Sequence, residues 1–192
     1  MLKHKLIALS VALPLVMAMA ATSAPVAPAA KASYQPSAEQ AAAARLVYGI
    51  LSDGRYVYRA KPLDDALSIE IHRRYLESLD AQKLFFTQAD ITRFDAYRTR
   101  HDDAIKNQQL GAAYDIFTTY VKRVDERVAY ANRLLAKPFD FSTNDTWLYD
   151  REDAAWAANA AELDKAWLSY VKNDALRLKL ARRSQEAIRK TL

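Results

Sequence analysis

Punctuation is scarce in this chain. From Ser37 to Leu192 the only glycines and prolines are Gly49, Gly54, Pro62, Gly111 and Pro138. Sandwiches and barrels turn about every 8–12 residues and need Gly, Pro, Asn or Asp at those corners. Five breakers over so long a stretch leave long uninterrupted elements, and the apolar residues between them recur at spacings of three and four. The fold class that follows is all-α: an irregular multi-helix bundle of about five or six helices.

The helices can be placed. Ser37-Ala-Glu-Gln40 is a capping-box pattern opening a first helix that runs to about Ser52, with Gly54 just beyond. Pro62 and Asp64 open a second, with Leu67, Ile71, Tyr75, Leu76 and Leu79 on one face. After a break over Ala81–Thr87, Thr87 and Asp90 form a new cap, and a third helix carries Ile91, Phe94, Tyr97, His101 and Ile105 inward to about Leu110. The fourth has the strongest period, through Ala113, Phe117, Tyr120, Val124, Val128, Ala131 and Leu135, until Pro138 stops it. Residues 139–158 are irregular and aromatic, and a fifth helix presents Leu163, Trp167, Tyr170, Val171 and Leu178. Arg55–Arg59 (RYVYR) is the one stretch with strand character, and no partner strand for it is evident.

At 192 residues and 21.7 kDa the chain fits one domain. It is 51% apolar, but 36 of its residues are alanine, so the core rests on Leu, Val, Ile, six Phe, eleven Tyr and three Trp. The absence of cysteine excludes disulfides, thiolate metal sites, a Cys nucleophile and a lipidated N-terminal Cys. Lys3, His4 and Lys5 precede an apolar run from Leu6 to Ala20 that Pro14 interrupts. That run is shorter than the ~20 residues a membrane span needs. It reads as a cleavable signal peptide over residues 1–20, with Ala18-Met-Ala20 as the small-x-small cleavage site and no integral span left in the mature chain. Residues 21–36 follow as a Pro-bearing disordered leader, and residues 37–192 form the helical domain.

Candidate chemistry is sparse. His72 and His101 stand 29 residues apart on different predicted helices with no HExxH-like companion, and His101 falls on an apolar face as a core histidine would. Glu70 and Glu77 lie among Arg73 and Arg74 on a polar face, and Asp64 with Asp65 sits where a helix start favours negative charge. No glycine adjoins a serine, so no strained nucleophile turn is present, and no Gly-rich phosphate loop occurs. No catalytic, cofactor-binding or metal-binding residue is assigned, and no cofactor is expected. Seven cations between Lys172 and Leu192 (Lys172, Arg177, Lys179, Arg182, Arg183, Arg189 and Lys190) face only Asp174 and Glu186. In an exported chain this basic end reads as a solvated or domain-docking face and not a nucleic-acid site. Leu176, Leu178, Leu180, Ile188 and Leu192 lie among those cations, and the segment from about Ala181 is expected to be loosely held.

Two stretches carry a resemblance: Leu63–Ile91 and Leu134–Ala181. Their marks are Arg74-Tyr-Leu76 with Leu79-Asp80, Phe85-Phe86 with Ala89-Asp90-Ile91, and Asp150-Arg-Glu152 with Trp156. Glu162-Leu163 with Trp167, and Val171-Lys-Asn-Asp174 with Leu176–Leu180, complete the set. Over roughly Ala41–Leu192 the chain resembles the N-terminal helical region of bacterial tail-specific (carboxy-terminal processing) proteases, departing from it at Ala81 and Ala157, where relatives often carry Pro.

The resemblance implies a periplasmic serine endopeptidase acting on proteins through their C-terminal tails. In that family a PDZ domain captures the tail carboxylate, and a Ser/Lys dyad with a neutral, buried Lys carries the chemistry. No catalytic residue of that dyad has a counterpart in these 192 residues, and Ser184–Leu192 reads as the opening of a helix, so the chain is expected to stop before the PDZ and protease core. Its expected role is a helical scaffold whose partners are those two parts of the same protein, with protein substrates or an adaptor beyond them. The alternative is a free-standing periplasmic helical binding module without enzymatic activity.

Overall fold

The computed structural model describes residues 34–53, 55 and 62–192. The signal-peptide expectation, the leader up to Ser33 and the strand-like Tyr56–Arg59 lie outside the described residues. Those residues form α1 (Ala38–Ser52), α2 (Asp65–Asp80), α3 (Gln88–Phe94), a 3-10 turn (Asp95–Tyr97), α4 (His101–Lys106), α5 (Gly111–Leu135), α6 (Ala160–Leu180) and α7 (Gln185–Thr191). Among them there is no strand, only a single parallel bridge between Thr87 and Ala157. The fold is all-α.

Caps set most helix starts. Ser37 and Gln40 close a reciprocal capping box on α1, and Thr87 and Asp90 close another on α3. Asp64, Asn159 and Ser184 each accept a backbone N–H in the first turn of α2, α6 and α7. Each such cap is worth ~1 kcal/mol.

Among the described residues the core has two clusters. One gathers Leu76, Phe86, Ile91, Phe94 and Ile116; the other gathers Leu84, Leu135, Leu163, Trp167, Val171, Ala175 and Ile188. The segment after α2 feeds both, because Leu84 enters the second cluster and Phe86 the first. Phe85 lies between them, edge-on to Tyr120 at 5.3 Å and to Trp167 at 5.7 Å. Helix α5 packs on α6, α6 on α7, and α4 touches α1, α2 and α5.

Four sequence expectations need correction. The single third helix is three pieces, α3, the 3-10 turn and α4, broken around Arg98–Arg100. On α2 the deepest row is Ser68, His72, Leu76 and Asp80, while the apolar row Leu67, Ile71, Tyr75 and Leu79 is only half-buried. That polar row goes inward because its side chains find partners there, described below. On α5 the buried positions are Ile116, Arg127 and Leu135; Phe117 and Val124 are half-buried and Val128 is 52% exposed. Arg127 bends the apolar pattern because its guanidinium reaches Asp164 on α6 and lies over the Tyr130 ring. Finally, α7 is anchored: Ile188 is 3% exposed and belongs to the α6 cluster.

Candidate functional site

A dense polar constellation is built around Asp80, the last residue of α2, which is 2% exposed. Lys83 adopts φ 54°, the left-handed conformation that often follows a helix end, and this folds the chain back over the α2 C-terminus. Three successive backbone N–H groups then point at one carboxylate. Oδ1 accepts from Leu84 N at 2.7 Å, Oδ2 from Phe86 N at 2.9 Å, and Phe85 N is shared between both oxygens at 3.2 Å. Trp156 Nε1 donates to Oδ2 at 3.1 Å, drawing in the irregular segment between α5 and α6. Lys83 Nζ sits 4.4 Å above the Trp156 ring, covering its outer face with a cation–π contact.

Further ties hold the same junction. Trp167 Nε1 donates to the Leu84 carbonyl, Gln88 N to the Ala157 carbonyl at 2.9 Å, and Arg151 N to Gln82 Oε1 at 2.9 Å. Arg123 of α5 grips Asp90 of α3 through Nε at 3.0 Å and a terminal nitrogen at 2.9 Å. Burial pushes the Asp90 carboxyl up, but Arg123 and the Thr87 N–H and hydroxyl outweigh it and hold the group below the usual range. The arrangement is a set of staples. The Asp80 and Asp90 carboxylates are each held by several N–H donors.

The sequence candidates land as follows. Glu70 pairs with Arg74 and Glu77 with Arg73, each at 2.7 Å on the helix surface, while Asp64 caps α2 through the Leu67 N–H at 2.9 Å. The Ser68 hydroxyl donates to the Arg98 carbonyl and accepts the His101 backbone N–H, which commits its proton to a carbonyl. Cations of the basic end are engaged locally: Lys172 with Asp145 and Thr143, Arg177 with Tyr149 and Asp174, Lys179 over Phe141, Lys190 with Glu186. Three of them (Lys172, Arg177 and Lys179) fasten the 139–158 segment to α6.

Sequence reasoning missed one pairing. His72 and His101 come together in the interior, with Nδ1 of His72 and Nε2 of His101 2.9 Å apart and the rings stacked at 5.2 Å. They are 4% and 5% exposed. Burial, and after it the neighbouring His72, drive His101 down to about 4 against the opposing pull of Asp102. Burial also lowers His72, with Asp95 opposing and Arg98 adding to the effect. The available signal was weak, since His72 shares the i, i+4 row of Ser68, Leu76 and Asp80, which apolar periodicity alone does not highlight. Among the described residues no group of three or more His, Asp and Glu is placed to hold a metal ion. No helix among them is long and apolar enough to cross a membrane.

The family described as "Tail specific protease N-terminal domain" matches residues 50–192. The "Tail-specific protease" of Haemophilus influenzae is 40% identical over 124 residues, covering 64% of this chain. The chain spans 18% of that relative's length. The matched residues contain the Asp80 junction, the Asp90–Arg123 grip, the histidine pair and α5–α7. The chain therefore belongs to the tail-specific protease family, and residues 50–192 correspond to its N-terminal domain.

Proposed function

We propose that the described helices serve as a scaffold for a tail-specific serine protease, positioning a PDZ module and a Ser/Lys core that act on exported proteins at their C-terminal tails. The family match over residues 50–192 carries this reading, and the Asp80 junction fits it. A buried carboxylate holding three backbone N–H groups and a Trp indole makes a rigid corner where α2, the 139–158 segment and α6 meet. Rigidity of that kind suits a support, whereas catalysis needs groups left free to react. The N-terminal Lys3-His-Lys5 and Leu6–Ala20 pattern supports export to the periplasm through a cleaved signal.

In this reading the chain supplies no nucleophile or base of its own. Purified protein incubated with a substrate bearing an apolar C-terminal tail should leave it intact over hours. Cleavage that survives a contaminating-protease control, or labelling of a serine by a fluorophosphonate, would overturn it.

A further inference from the structure

The His72–His101 contact joins α2 to α4, and α1 packs against α4, with Ala44 the buried residue of α1. The chain turns on either side of α4. Arg98–Arg100 is a turn between helices, and Gln108 just after α4 adopts φ 59°. We propose that this histidine pair is an acid-sensitive latch, closed near neutral pH, whose protonation releases α4 and the α1 helix lying on it from α2.

The argument is one of proton counting. At 2.9 Å the two facing nitrogens accommodate a single hydrogen, so one ring must present a bare nitrogen to the other. An added proton must go to an outer nitrogen. On His101 that is Nδ1 and on His72 it is Nε2, the latter buried without a hydrogen-bond partner, so a cationic His72 holds an unsatisfied donor there. A second proton puts N–H against N–H and breaks the contact outright.

The surrounding charges pull in both directions. On α2, Arg73 is paired with Glu77 at the mouth of the cleft that His72 lines. From the 3-10 turn and its exit, Asp95 favours protonation and Arg98 opposes it. On α4, Asp102 pairs through Oδ2 with Lys106 at 2.8 Å, with Asp103 also near that lysine, while Asp102 Oδ1 is buried without a hydrogen-bond partner and the carboxylate favours protonation of His101. On α5, Asp115 is engaged by Arg93 and by the Tyr97 hydroxyl. The only charges on α1 are Glu39 and Arg45, both exposed.

The closed form binds fewer protons than the open one, so the contact is strongest above the ordinary histidine value of 6.5 and weakens as the pH falls toward 4. Over that window, opening should rise about tenfold per pH unit for each proton taken up.

Amide exchange on the 192-residue chain tests this, with intrinsic rates corrected for pH and the imidazole NMR signals followed in the same samples. The expected result is that α4 and α1 lose protection between pH 6.5 and 4.5 while α6 keeps its own, with the same midpoint as the imidazole signals. His72→Gln, which does not titrate, should flatten that dependence, and His101→Gln provides a second route should the first not fold. The latch is refuted if α4 protection is flat with pH, if α4 and α6 are lost together, or if a folded Gln variant keeps the wild-type dependence.

Discussion

Replacing Asp80 probes the corner on which the scaffold account depends. Asp80→Ala removes the acceptor for Leu84, Phe85 and Phe86 N–H and for Trp156 Nε1 at one stroke. An orphaned buried donor costs ~1–3 kcal/mol, but the four share one carboxylate and the loop can relax toward water, so the sum is not additive. The expected loss is about 3–5 kcal/mol, comparable to breaking a buried charged pair. Asp80→Asn keeps one oxygen but turns an amide NH2 toward two of the donors, so it should fall in between, at ~2 kcal/mol. Trp156→Phe removes a single bond and keeps most of the packing, for a loss of ~1 kcal/mol. Urea unfolding followed by tryptophan fluorescence and far-UV circular dichroism reads all three, provided the denaturant slope is unchanged. The reasoning fails if Asp80→Ala stays within ~1 kcal/mol of the parent chain, or if Trp156→Phe costs as much as Asp80→Ala.

Other consequences are as specific. Ile116→Ala empties a fully buried site and should cost ~2–5 kcal/mol, whereas Phe117→Ala, half-buried and in edge contact with Tyr34 at 5.1 Å, should cost clearly less in the same urea assay. Ile188→Ala should release α7, read as trypsin cutting at Arg182, Arg183 or Arg189 well before the parent chain is cut there. The Asp90 carboxyl is held below its ordinary value of 3.8, so its contribution persists at all higher pH and is lost only as the pH falls below that value. Stability lost between pH 6.5 and 4 should therefore vanish in a His72→Gln/His101→Gln chain while the loss below pH 4 remains.

Local signals were legible in the sequence, and tertiary ones were not. The Ser37–Gln40 and Thr87–Asp90 boxes, Pro138 as a stop and the Leu163/Trp167/Val171 face all describe chemistry within a turn or two of chain. The breaks inside residues 88–110 escaped because Ile91, Phe94, Tyr97 and His101 keep spacings of three and four, and residues three apart share a face in a 3-10 turn as they nearly do in an α-helix. The inward faces of α2 and α5 were displaced because buried polar groups (Ser68, His72, Asp80 and Arg127) compete for the interior once distant partners exist. Those partners lie 29 residues away for His72, 76 for Asp80 and 37 for Arg127. No pattern of single residues announces such a contact. Asp80 and Trp156 entered the sequence reading only as marks of the family resemblance, and the folded chain shows that they meet.

The central claim, that these helices support a protease core, is tested most directly by a chimaera. The matching N-terminal part of the Haemophilus influenzae tail-specific protease would be replaced by residues 50–192 of this chain, and cleavage of a substrate with an apolar C-terminal tail measured as kcat/KM. The account predicts activity close to that of the parent protease, lost on deleting the region and sharply reduced by Asp80→Ala in the chimaera. A protease that cleaves equally well without any N-terminal helical region would contradict it.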